Sequence, residues 1–162
     1  MDMKFGLVPA HSRFLTDRSG WLPLEEMEQL RAALRLFQTK FPQTLFSILI
    51  TELPSGTSVA EYAFWLANRA RLGGVDKALA DNLNLLLVVD LIGNTSALTV
   101  GYGLEPYIQE SDLQDVLDEL ATAIRERDLA NGLRTCIEFL TQRMRELSAT
   151  AKSARARVAV PA

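Results

Sequence analysis

Residues Asp81 to Glu105 read D-N-L-N-L-L-L-V-V-D-L-I-G-N-T-S-A-L-T-V-G-Y-G-L-E. Within that stretch Leu83 to Val89 is almost wholly apolar, the pattern of a strand covered on both faces. Ile92-Gly93-Asn94-Thr95 follows and supplies the glycine and asparagine that hairpin turns use for positive φ. Ser96 to Val100 is therefore predicted to return as an antiparallel strand. Gly101-Tyr102-Gly103 then lets the backbone turn sharply before an acidic, periodic segment begins at Glu105.

Working outward, Phe5 to Ala10 is short and extended, with Pro9 opposing a helix, and Phe14-Leu15-Thr16 reads as a brief first strand closed by the turn Asp17-Arg18-Ser19-Gly20. From Pro23 the period changes: Leu24, Met27, Leu30, Leu34, Phe37 and Phe41 recur at three- and four-residue steps. Pro23 suits a first helical position, Glu25, Glu26 and Glu28 suit the positive end of the macrodipole, and the helix ends before Pro42. Leu45 to Leu53 reads as a strand. Ser58 with Glu61 forms a capping box for a helix whose inner face is predicted at Ala60, Ala63, Phe64, Ala67 and Ala70, and Arg71-Leu72-Gly73-Gly74 closes it. Two more amphipathic helices are predicted after the hairpin, about 111–127 and about 129–149.

The order β-α-β-α-β-β-α-α predicts a three-layer α/β/α sandwich around a mixed sheet of about four strands. Helical crossovers make the first three strands parallel, and the short turn makes the fourth antiparallel. Residues 1–150 read as a single domain and 151–162, with Lys152, Arg155 and Arg157, as a flexible, solvated tail. At 162 residues with a formal charge of -3, the chain carries no electrostatic footprint for nucleic acid. No apolar run is long enough to span a bilayer, and no signal-like apolar core follows Met1, so at face value the chain is cytoplasmic. Cys136, the sole cysteine, falls among Leu133, Ile137 and Leu140 and is expected to be buried.

The turn D-x-x-G-x-L at Asp17 to Leu22, the helix segment Tyr62-Ala63-Phe64-Trp65-Leu66-Ala67, the block Asn82 to Val89 and the exit Val100-Gly101-Tyr102-Gly103-Leu104-Glu105 together resemble the TPM domain family. That family is represented by a thylakoid-lumen acid phosphatase, a photosystem II repair protein and a receptor modulator. The resemblance covers roughly Phe14 to Leu147. Asn82-Leu83-Asn84 stands where relatives usually carry Asn-Gly-Val. What the resemblance implies is an accessory or protein-interaction module, with calcium binding or phosphatase activity in some members and an envelope or lumen location.

The topology sorts the candidate residues by end. Asp17, Glu52 and Asp90 follow the carboxyl ends of parallel strands, where open sheets usually bind ligands. Asp81 and Asn82 precede the third strand and lie with Glu105 at the opposite end, near Asp112. Calcium or magnesium needs several oxygen ligands, so the candidate metal sites are Asp81, Asn82 and Glu105 or, alternatively, Asp17 and Asp90. Each group has a structural alternative: an Asx-turn for Asp17, a surface strand end for Asp90, helix capping at Ser111 or Asp112. His11 is the sole histidine, which leaves no multi-histidine metal site; no catalytic residue is assigned and no organic cofactor is expected. The expected function is a TPM-like module acting through an unidentified protein partner; the alternative is a metal-dependent acid phosphatase acting on phosphomonoesters. Trp21, Trp65, Tyr102 and Tyr107 are the candidates for an aromatic contact patch, with Trp65 read as core.

Overall fold

In the computed structural model, which describes residues 14–69 and 84–159, the apolar run becomes β3, Leu85–Asp90, with every residue buried. It lies between β2, Phe46–Thr51, and β4, Thr95–Val100, while β1, Leu15–Asp17, borders β2 on the other side. β1, β2 and β3 run parallel and β4 runs antiparallel to β3, in the order β1-β2-β3-β4. The helices among the described residues are α1, Leu24–Lys40, α2, Val59–Arg69, α3, Glu110–Arg125, and α4, Leu129–Ala159. The element order and the mixed four-stranded sheet are those predicted.

Side-chain alternation divides the core into two layers. Ile48, Ile50, Leu85, Leu87 and Val89 face α1, α3 and α4, meeting Leu34, Phe37, Leu120, Leu133 and Leu140. Phe37 anchors this side, with ring centroids 5.0 Å from Phe41 and 5.5 Å from Phe46. Such tilted pairs add about 0.5–1.5 kcal/mol beyond the area they bury. Leu49, Leu86 and Val88 face the other way, against Tyr62, Ala63, Trp65 and Leu66 of α2. Cys136 sits in the larger layer, and burial pushes its thiol up to about 12, so it behaves as a small apolar side chain.

Several local expectations change. The inner face of α2 is Tyr62, Ala63, Trp65 and Leu66, with Ala67 packed partly against it; Ala63 and Ala67 lie as expected, whereas Ala60 and Phe64 turn outward and Phe64 is 53 % exposed. Both stripes have helical spacing; the larger apolar area of tyrosine, tryptophan and leucine decides which one is buried. Pro23 is the residue before α1, in an extended conformation at ψ 150°, with its carbonyl accepting from Met27 N–H. In the hairpin the positive φ falls on Asn94, at 51°, and not on Gly93. α4 continues to Ala159, past the Ala149 at which its apolar periodicity predicts an end.

The joint between α3 and α4 is tightly built. Asp128 N–H donates to the Ala123 carbonyl at 2.8 Å and Arg127 N–H to that of Ile124 at 3.2 Å, a Schellman cap with Arg127 in the left-handed position at φ 57°. One turn on, a Cβ placed on Gly132 would lie 2.6 Å from the Ala123 Cβ. Glycine is thus what allows the two helices to meet. Two substitutions in this joint should move stability in opposite directions when followed by urea denaturation. Arg127→Gly, which relieves an L-residue of αL geometry, is expected to add about 0.5–1 kcal/mol. Gly132→Ala, despite a better helix former, is expected to remove about 1–3 kcal/mol by overpacking.

Candidate functional site

At the carboxyl end of the parallel strands, Asp17 closes β1 and turns its carboxylate back onto the following loop. Oδ1 accepts Ser19 N–H at 2.9 Å, Gly20 N–H at 3.1 Å and the Ser19 hydroxyl, while Oδ2 accepts Leu22 N–H at 3.0 Å. The D-x-x-G-x-L turn is therefore an Asx-turn in which one carboxylate holds the loop leading to α1.

Asp90 ends β3 and is 4 % exposed, so it is a buried group and not a surface strand end. Its Oδ1 accepts Leu53 N–H and Ile92 N–H, each at 3.1 Å, tying the loop after β2 to the hairpin after β3. A Cβ on Gly93 would lie 2.8 Å from Asp90 Oδ2, which is why the tightest position of the hairpin needs glycine without needing positive φ.

The sheet register separates these two acids. Asp17 pairs with Ile50 and shares its face, toward α1; Asp90 pairs with Thr51 and faces α2. With β2 between them, their backbones stand about 10 Å apart. Glu52, exposed, follows β2 in a small polar cleft of about 340 Å³ that it shares with Arg18, Thr57 and Tyr62. Burial pushes the Tyr62 hydroxyl above the ordinary tyrosine range, while the charge and hydrogen bond of Arg18 pull the other way.

At the opposite end, Gly101 N–H donates to the Asn84 carbonyl at 2.9 Å, and the Gly101 carbonyl accepts from Leu104 and Glu105 N–H at 2.9 and 3.2 Å. The exit from β4 thus coils through successive tight turns; the described glycines with positive φ are Gly20 and Gly56, so neither Gly101 nor Gly103 supplies it. Glu105 is exposed on this loop. Asp112 is paired with Arg143 of α4, which also contacts Glu146 at 3.0 Å and covers the Phe139 ring at 5.5 Å. α3 has no side-chain cap. Asp81 and Asn82, like His11 and Arg71, lie outside the described residues. Of that candidate set the structure describes Glu105.

The same end carries a groove of about 880 Å³ that sequence reading did not anticipate. It runs along β4, between the outer face of α2 and the start of α3, and Phe64, Leu98, Val100, Tyr102 and Leu113 supply its apolar lining. Tyr102 is 71 % exposed. Trp21 and Tyr107 are also exposed, while Trp65 is core, as its place in the helix predicts. The outward turn of Phe64 was the missing signal: α2 has apolar residues on both faces, and only packing selects between them.

A mixed sheet that carries, among the described residues, one helix on one face and three on the other, with its fourth strand returning through a hairpin, defines an α/β module of known type. The sequence model of the TPM domain matches residues 15–143, and the chain belongs to that family. Among solved structures, the N-terminal domain of a protein from P. gingivalis is similar at 23 % identity with a TM-score of 0.68, over 82 % of each chain. The N-terminal domain of a Corynebacterium glutamicum protein gives 12 % identity and a TM-score of 0.60, over 83 % of this chain and 82 % of that one. The BA42 protein of the psychrophilic bacterium Bizionia argentinensis gives 14 % and 0.64, over 80 % of this chain and 85 % of its own. These likenesses concern the fold. No curated protein matches the chain. No helix among the described residues is long and apolar enough to cross a membrane.

The Asp90 arrangement generates a coupled prediction. Asp90→Ala should cost about 2–4 kcal/mol in urea denaturation, because the buried Leu53 N–H and the part-buried Ile92 N–H lose their acceptor. Gly93→Ala should cost about 1–3 kcal/mol alone and much less in the Asp90→Ala background, where the clashing oxygen is gone. Additive costs would show that the two do not share this contact.

Proposed function

We propose that this TPM domain is an accessory module that works through contact with another protein. The observation carrying this reading is the groove beside β4, where Phe64 and Tyr102 stand 53 % and 71 % exposed. Large aromatic surface left in water is unfavourable in isolation, and aromatic side chains are enriched where partners dock. Hydrolysis of phosphomonoesters draws less support. Its carboxylates would have to converge on one metal or phosphate, whereas Asp17 and Asp90 face opposite sides of the sheet, with both oxygens of Asp17 and Oδ1 of Asp90 already accepting N–H groups. A calcium or magnesium site in this proposal belongs to Glu105 with Asp81 and Asn82, because an exposed carboxylate retains oxygens for a hard cation.

An assay of the purified protein on p-nitrophenyl phosphate, with calcium and with magnesium, is expected to show turnover no faster than buffer. Metal-dependent turnover that disappears in Asp17→Asn or Asp81→Asn would overturn the accessory reading in favour of the phosphatase.

A further inference from the structure

Among the described residues β4 is an edge strand: β3 lies on one side and no strand pairs with the other. The antiparallel register determines which of its backbone groups face outward. Gly101 N–H donates to the Asn84 carbonyl, so these two residues form a hydrogen-bonded pair, and such pairs alternate along an antiparallel ladder. Thr99, Ala97 and Thr95, opposite Leu86, Val88 and Asp90, therefore spend their backbone groups on β3. The N–H and C=O of Ser96, Leu98 and Val100 point away from it. Among the described residues none of these outward groups has a hydrogen-bond partner.

Natural sheets usually blunt such an edge with lysine, proline, a bulge or brevity. The other edge, β1, has three residues; β4 has six, T-S-A-L-T-V, without a charge or a proline. The strand is β-prone, and Leu98, Thr99, Val100 and Gly101 form the floor of the 880 Å³ groove. One wall is the outward stripe of α2, Ala60, Phe64 and Ala67, at helical spacing; the other is Ile108 and Leu113 with Gln109 and Glu110. The charged residues lining the groove are Glu105 and Glu110, both acidic.

We infer that β4 receives an extended peptide segment of another protein as a fifth strand, with apolar side chains set against Ala60, Phe64 and Ala67 and lysine or arginine set against Glu105 and Glu110. The backbone supplies the first half of the argument. Outward donors and acceptors recurring every second residue, about 6.8 Å apart, match a strand and do not match a helix. Charge supplies the second, since an acidic wall opposite an apolar one selects a peptide that alternates basic and apolar residues. This inference rests on the protein-contact reading above and specifies its mode.

The test uses a fluorescent decapeptide alternating lysine with valine or phenylalanine, titrated into the full chain by anisotropy, with a control peptide N-methylated at every second residue. Saturable binding is expected, with the control at least tenfold weaker and affinity falling as salt rises. Leu98→Pro should weaken binding at least tenfold, because the N–H it removes points away from β3 and the ladder is left intact. Glu105→Lys combined with Glu110→Lys should weaken the lysine peptide and favour a glutamate-containing counterpart. Amide shifts on binding should concentrate in residues 96–101 and on the outer face of α2. Equal affinity for the methylated control, unchanged binding by a folded Leu98→Pro variant, or self-association of the chain that this variant abolishes would each overturn strand addition by a basic peptide. Binding elsewhere on the surface would overturn strand addition and leave the protein-contact reading standing. Phosphatase turnover would defeat the protein-contact reading in a separate assay.

Discussion

Two strands with no solvent face impose the main constraint on this molecule. Every residue of β2 and β3 is buried, so helices must cover both sides of the sheet and the strand ends must satisfy their own backbone groups. The first requirement assigns α2 to one face and α1, α3 and α4 to the other. The second is met at the carboxyl end by aspartate. Asp17 serves the loop after β1, and Asp90 joins the loops after β2 and β3 just beyond the last backbone bond between those strands, Leu91 N–H to the Thr51 carbonyl. An acid placed this way is structural: its oxygens accept the N–H groups that the ladder leaves over at the strand ends.

That use of carboxylates changes how the carboxyl end of the sheet should be understood. Open α/β sheets often bind ligands there, and acids at strand ends invite a catalytic or metal-binding interpretation. Here the register places Asp17 and Asp90 on opposite faces, and turn N–H groups already engage both oxygens of Asp17 and Oδ1 of Asp90. The polar cleft beside them is small and keeps Arg18 near Tyr62, where burial raises the hydroxyl and the guanidinium opposes the rise. The larger concavity is at the other end, built from a sheet edge and two helix faces. Apolar lining and exposed aromatics there suit docking better than bond breaking.

The fold was legible because its signals are periodic and local. Leu83 to Val89 could be read as a doubly covered strand from composition alone, and Ser58 could be read as a cap, which its hydroxyl is, accepting Glu61 N–H at 3.3 Å. What escaped reading depends on contacts distant in sequence. Asp112 looked like a cap or a cation ligand, but its partner Arg143 lies on the next helix, and no local pattern announces that pair. Asp90 looked like a surface end because its two amide donors come from separate loops. Turn chemistry offers both Gly93 and Asn94 for positive φ; Asn94 takes it, while Gly93 provides clearance for Asp90 Oδ2. For the candidate site, the acids could be assigned to ends from topology, but not whether their oxygens were already in use.

The groove escaped for a different reason, which bears on how it works. An edge strand is defined by what does not pair with it, and sequence carries no record of a missing neighbour. The six residues of β4 would read identically if another strand covered them. What distinguishes the edge is arithmetic on the register: one hydrogen bond, from Gly101 to Asn84, sets the phase of the whole ladder and thereby turns the groups of Ser96, Leu98 and Val100 outward. A one-residue slip would exchange the inward and outward sets and put Leu98 and Val100 on the α2 face. Those two side chains now pack with the larger core, alongside α3. The apolar anchoring of β4 therefore also orients its outward backbone, so packing within the domain presets the edge to which peptide addition is proposed.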